Sequence, residues 1–275
     1  IIIYAWCPLV IVEFAIEGHS DVIGVMFMVL AIVAAHSNKP GARILTGFFI
    51  GMATLTRLYP LLLLPAIVHR RDWMLLVTCF LTIFLGYLPF VILGHGQVFG
   101  FFFTYTSQQG GNAGIVQRVI DWICSQLSIN LATTILIEYG IDAVLIATVS
   151  LVVLVLRYRE CISIPLAVLL LISLILSLSP HVFPWYVTAL LPWIVLLANM
   201  FKVDELFHAE KLIVSLSWLY SCSALSDYIT ADALSTTSNW IAYYIVTYGI
   251  VVIWLGVALV IGLIYFLPFV KYEKR

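Results

Sequence analysis

Residues 73–93 run without one charged side chain, and similar apolar runs follow one another along most of the chain. A helix needs about 20 apolar residues to cross the hydrocarbon core of a bilayer. Several runs here meet that length. The chain is 63% hydrophobic and 10% charged over 275 residues, whereas a soluble domain carries about 25% charged residues. So few polar side chains cannot cover a water-facing surface, and the surplus apolar ones must face lipid. The expected fold is all-α, a polytopic transmembrane helix bundle of about eight to ten membrane helices.

Other composition signals narrow the function. Aromatic residues make up 14% of the chain, which suits belts at the two membrane interfaces. A net charge of −1 provides no basic field, so nucleic acid is not an expected partner. Cys7, Cys79, Cys124, Cys161 and Cys222 form no C-x-x-C pair, and four of them sit in or beside apolar runs. No disulfide framework and no zinc site is expected, and no cofactor is indicated, with dependence on a divalent metal left open. The sequence opens at Ile1 inside an apolar stretch. It reads as an internal fragment, with residues 1–275 forming one transmembrane domain.

The punctuation predicts helices at roughly 3–17, 22–36, 44–56, 58–68, 73–93, 133–156, 161–178, 184–201, 211–226 and 240–269. The pair at 44–56 and 58–68 is short, about 20 Å or less each. Threading these segments as successive crossings puts Lys39, Arg43, Arg70, Arg71, Arg157, Arg159, Lys202, Lys211, Lys271, Lys274 and Arg275 on one side. Only Arg57 and Arg118 fall on the other. The positive-inside rule makes the first side cytoplasmic. A single span over 44–68 would invert everything downstream. A tight hairpin at Arg57-Leu58-Tyr59-Pro60 keeps the rule, and Pro60 disfavours helical geometry at Tyr59. The long outer stretch, 94–132, contains an amphipathic run in which Ile115, Val116, Val119, Ile120 and Ile123 are apolar. That spacing suits a helix lying in the interface.

Three constellations carry possible chemistry. In Glu13-Phe14-Ala15-Ile16-Glu17-Gly18-His19-Ser20-Asp21, three acids and an imidazole crowd a junction between apolar segments. Glu13 and Glu17 share a helix face at a spacing of four, and their repulsion calls for a cation, a metal or a shared proton. The plainer reading is a polar interfacial turn with Asp21 capping the next helix. Arg57, at the apex of two short apolar helices, needs an anion. Its planar fork suits a phosphate or a carboxylate. The plainer reading pairs it with Glu13, Glu17 or Asp21, and both can hold when the site is empty. In Ser179-Pro180-His181-Val182-Phe183-Pro184-Trp185-Tyr186, His181 can donate to a phosphate or a sugar hydroxyl, and Trp185 and Tyr186 can stack on a sugar. The plainer reading is an aromatic belt. Glu138 and Asp142 share a helix face near the outer interface and read as solvated. All three constellations fall on the non-cytoplasmic side, where a membrane enzyme acting on a lipid-borne substrate would keep them.

These residues resemble the polyprenol-phosphate-mannose-dependent mannosyltransferases, a GT-C type of integral membrane glycosyltransferase. Trp6-Cys7-Pro8-Leu9, Glu13 and Gly18-His19-Ser20-Asp21 are similar to a block read as W-N-P-L, E and N-G-H-N-D. Leu58-Tyr59-Pro60 through Pro65, after a basic residue, resembles a second block, with Arg57 where relatives usually carry Lys. Ser179-Pro180 and Pro184-Trp185-Tyr186 resemble a third, usually H-P-W-Y, with Phe183 in place of its His. The likeness covers about residues 4–200. It implies a transferase moving a sugar, mannose by family habit, from a polyprenyl-phosphate donor to a lipid-linked or cell-envelope glycan acceptor. The site would face outward from a bacterial plasma membrane. In such a reaction Glu13, Glu17 or Asp21 takes the acceptor proton. Arg57 meets the leaving phosphate, His19 and Tyr59 bind substrate beside it, and the family's principal carboxylate would precede Ile1. The competing class is a secondary transporter or lipid-linked sugar flippase, since broken short helices with a buried Arg also occur there.

Overall fold

A computed structural model describes residues 2–94, 115–179 and 183–200, together with Trp218, Ser221 and Ala224. His181, Cys222, Asp227, Asp232 and most of the helices expected at 211–226 and 240–269 lie outside the described residues. In chain order the helices are α1 (Ile2–Ala5), α2 (Pro8–Val10), α3 (Asp21–Ala35), α4 (Ala42–Thr56), α5 (Leu63–Ile67), α6 (Trp73–Leu93), α7 (Ile115–Gln126), α8 (Leu131–Tyr158), α9 (Ile164–Leu178), α10 (Pro184–Val187) and α11 (Leu191–Met200). A π turn covers Ile11–Ile16, and 3-10 turns cover Tyr59–Leu62 and Thr188–Leu190. No strand occurs among the described residues.

Among the described residues, α6 and α8 are each long and apolar enough to cross a bilayer alone. Pro8–Ile16 and Asp21–Ala35, bent by 119° at their junction, are together long and apolar enough for a broken span or a re-entrant loop. The protein is an all-α polytopic bundle, as its apolar runs predict. The chain divides into two compact units, residues 1–18 with 183–275, and residues 19–182.

In the first unit, the helix expected over 3–17 is interrupted. α1 stops at Ala5, the chain bends at Trp6-Cys7, and Pro8 starts α2. Proline has no N–H to continue a preceding helix but fits a first turn. α11 packs against α1, and Trp193 of α11 is wholly buried.

In the second unit, α4 packs between α3 and α6. Lipid tails are as apolar as leucine, so membrane helices associate through close packing rather than apolar burial. Small residues permit that approach here. Gly47 and Gly51 lie one turn apart on α4 and face α6. A Cβ on Gly47 would overlap the carbonyl oxygen of Leu75, and one on Gly51 would stand 2.9 Å from that of Cys79. A Cβ on Gly24 of α3 would likewise overlap the hydroxyl of Thr56. Gly47→Val forces a branched side chain against fixed backbone and is expected to cost about 1–3 kcal/mol. Thermal unfolding in detergent should show a lower midpoint; an unchanged midpoint would mean α4 and α6 stand further apart.

The remaining helices sort by exposure. On α6 only Leu75 and Cys79 are buried, while Val77, Phe80, Phe84 and Leu85 point outward, as suits a lipid-facing span. α9 is buried on nearly every face, as a helix apolar all round should be. It packs on α8, α5 and the Tyr59–Leu62 turn. Asn130 caps α8, accepting from the Thr133 N–H at 2.9 Å, and Ser163 caps α9, accepting from the Leu166 N–H at 3.4 Å. The amphipathic run forms α7, which lies on α8 with Ile120 and Cys124 buried and Val119 and Trp122 exposed.

The expected short hairpin is present, with unequal legs. α4 is one regular leg. The other is a 3-10 turn followed by the five-residue α5, because Pro60 and Pro65 each remove a backbone donor. The chain doubles back on itself. Arg43, at the start of α4, donates from Nη2 to the Ile67 carbonyl at 3.3 Å and from Nε to Asp72 Oδ1 at 3.0 Å. The same end gathers other basic groups. Arg157 Nε donates to the Ala66 carbonyl at 2.9 Å, and the Arg70 guanidinium lies 4.7 Å from the centre of the Tyr158 ring. Asp21 and Arg57 sit at the opposite end of the α3–α4 pair. Within this unit, Arg43, Arg70 and Arg157 thus gather at one end of the packing and Arg57 at the other.

Candidate active site

α4 ends because Arg57 turns extended, with φ −153° and ψ 147°, while its N–H still reaches the Ala53 carbonyl at 3.2 Å. The break falls there rather than at Tyr59, which begins the 3-10 turn. Arg57 therefore stands on a joint between helices. Asp21 is the first residue of α3. Its carboxylate does not cap that helix but turns to Arg57. Oδ1 accepts from Nε at 2.9 Å and Oδ2 accepts from Nη2 at 3.1 Å. This is the two-bond fork geometry that distinguishes arginine from lysine. Asp21 is 2% exposed and Arg57 34%. Each charge makes the other's burial tolerable. The pairing expected between Arg57 and one of three acids is thus met by Asp21.

Beside the joint lies a cavity of about 760 Å³. Leu58 and Tyr59, the residues directly after Arg57, form one wall. Leu62, Pro65 and Ile175 add apolar surface, and Asp142 and Ser179 contribute polar groups. The residue that carries the guanidinium thus directly precedes the wall of a largely apolar space. That combination suits a ligand with an anionic head and a hydrocarbon tail.

Two acids depart from expectation. Glu138 and Asp142 read as solvated, yet Glu138 is only 5% exposed and Asp142 lines the cavity. α7 packs on α8, and Glu138 is one of the buried residues of α8. The four-residue spacing of the two acids was visible in the sequence; the burial of Glu138 was not.

The acids before Gly18 differ in environment. Glu13 lies within the π turn and is fully buried, whereas Glu17 follows the turn and is exposed. The Glu17 N–H donates to the Val12 carbonyl at 2.9 Å, five residues back. Such turns recur at functional sites. Their predicted sharing of one helix face therefore does not give them one environment. Gly18, at φ +70°, lets the chain turn before a half-buried His19. In the first unit, Phe183 stacks on Trp185 with ring centres 4.4 Å apart and planes 6° from parallel. Tyr186 stands edge-on to both. The residue occupying the usual His position thus builds an aromatic platform. Among the described residues, no three His, Cys, Asp or Glu side chains are grouped so as to hold a metal ion.

The sequence matches the family described as Glycosyltransferase family 87 over residues 18–184, more than half of the chain. The chain belongs to this family. Comparison with curated proteins and with solved structures finds no match. The matched part of this family 87 glycosyltransferase contains His19, Asp21, Arg57, Tyr59 and the whole hairpin, while Glu13, Glu17, Trp185 and Tyr186 flank it. Family and fold together make the protein a membrane glycosyltransferase, which uses a sugar donor and an acceptor.

Proposed function

We propose that this glycosyltransferase moves a sugar from a polyprenyl-phosphate donor to a glycan or glycolipid acceptor at the non-cytoplasmic face of a bacterial plasma membrane. Mannose is the sugar its motifs resemble, and GT-C is the corresponding enzyme type. The observation that carries the reading is Arg57 standing directly before the wall of an apolar cavity. A polyprenyl phosphate has an anion joined to a long apolar chain, and this arrangement suits both ends.

The reaction needs two kinds of group. As the acceptor hydroxyl attacks the anomeric carbon, the bond from that carbon to the phosphate oxygen breaks, and its electron pair leaves with the phosphate. Arg57 stabilises the charge that gathers there. A carboxylate accepts the hydroxyl proton. Glu13, Glu17 and Asp21 are the candidates in this chain; the buried Glu13 is favoured, because Asp21 is engaged by the guanidinium. His19 and His181 hydrogen-bond the phosphate or the sugar, Tyr59 lies beside the donor, and Trp185 and Tyr186 provide a face for a sugar ring. Residues 1–275 act as a single transmembrane domain.

Purified protein given a radiolabelled polyprenyl-phosphate sugar and a glycolipid acceptor is expected to yield labelled acceptor. Solute counterflow in proteoliposomes without label transfer would support a transporter and overturn the reading.

A further inference from the structure

We propose that Asp21 is a built-in competitor for the phosphate: it holds the guanidinium fork of Arg57 in the empty site and then weakens the grip on the departing product. The proposal rests on the reading of Arg57 as the phosphate site and adds a role for its partner.

Asp21 cannot easily withdraw. It has one short side chain, it begins the 15-residue α3, and it is 2% exposed. Arg57 sits on an extended joint and is 34% exposed. A phosphate can approach the guanidinium beside Asp21 or take its place on the fork. In both arrangements the carboxylate stays a few ångströms from the phosphate. Two unit charges about 6 Å apart, at an effective dielectric near 20, repel enough to change an equilibrium roughly a hundredfold. Solvent and salt around the part-exposed Arg57 reduce that to about tenfold.

The effect differs between substrate and product. In the donor, the phosphate is a diester with one negative charge. When the bond from the anomeric carbon to the phosphate oxygen breaks, the oxygen keeps the electron pair and the phosphate becomes a monoester. A monoester carries about −1.5 to −2 at neutral pH. Asp21 therefore opposes the product more than the donor. A bare arginine would hold the more highly charged product more tightly and slow the next cycle. The buried carboxylate offsets that preference.

Binding of farnesyl phosphate, a monoester, and of methyl farnesyl phosphate, a diester, separates the alternatives. Calorimetry on the detergent-purified chain is expected to show wild-type affinities for the two within a few-fold. Asp21→Asn keeps the shape and a neutral hydrogen bond. It should bind the monoester about tenfold tighter and the diester by a smaller factor. Asp21→Glu keeps the charge and should not reproduce the tenfold gain in monoester affinity. Monoester binding no tighter in Asp21→Asn than in wild type overturns the proposal. So does a strong wild-type preference for the monoester, a measurement that needs no variant. Arg57→Ala should lose monoester binding. Undiminished binding there would instead remove the phosphate reading of Arg57, which distinguishes the two failures.

Discussion

Arg57→Ala is expected to lower sugar transfer at least a hundredfold, with the protein still extracted from membranes. Removing one donor aimed at developing charge typically costs about 2.7–4 kcal/mol of transition-state stabilisation. In the proposed reaction, a phosphate leaving beside an apolar cavity would depend on that donor more than one leaving into water. The substitution also leaves the Asp21 carboxylate buried without its cation, and a broken buried pair destabilises. Arg57→Ala with Asp21→Asn removes both charges and isolates the catalytic loss from the folding loss. Arg57→Lys keeps the charge without the fork and should fall between wild type and Arg57→Ala. Initial rates with a radiolabelled polyprenyl-phosphate donor measure all three. Wild-type turnover in the double variant would remove Arg57 from the reaction.

Glu13→Gln is the second large effect. Loss of a general base typically slows a reaction by about 10²- to 10⁴-fold. Glu13 is the fully buried acid of the first constellation, set in a π turn. An exposed Glu17 has water for a partner and no special reactivity, so Glu17→Gln should stay near wild type. The pH–rate profile supplies a second readout. If Glu13 accepts the proton, the rise of the rate on the acid side disappears in Glu13→Gln. A wild-type rate and profile in that variant would assign the proton to another carboxylate.

Much of this architecture was legible in the sequence. Apolar runs located α6 over Trp73–Leu93, which matches the predicted bounds, and charge bias separated the Arg43 end of the hairpin from the Arg57 end. Arg57 stood out because a guanidinium in an apolar context demands an anion. Other features depend on backbone departures that helical periodicity does not encode. The π turn at Ile11–Ile16 leaves one glutamate buried and the other exposed. The second leg of the hairpin begins as a 3-10 turn before the short α5. Tertiary packing matters too: α7 lies on α8, and Glu138 of α8 is buried although its polar spacing reads as solvated. Phe183 was legible as a departure from a motif, while its stacking on Trp185 required the coordinates.

The length of α4 has a chemical consequence. Its 15 residues reach about 22 Å, whereas the hydrocarbon layer is about 30 Å thick. When the Arg43 end rests among the headgroups of one leaflet, the Arg57 end stops short of the other surface. In the proposed reaction, an activated sugar ester held at that depth would meet little bulk water. Its commonest competing fate, hydrolysis, would be suppressed by scarcity of the nucleophile. On that reading a short helix helps to pass the sugar on rather than waste it.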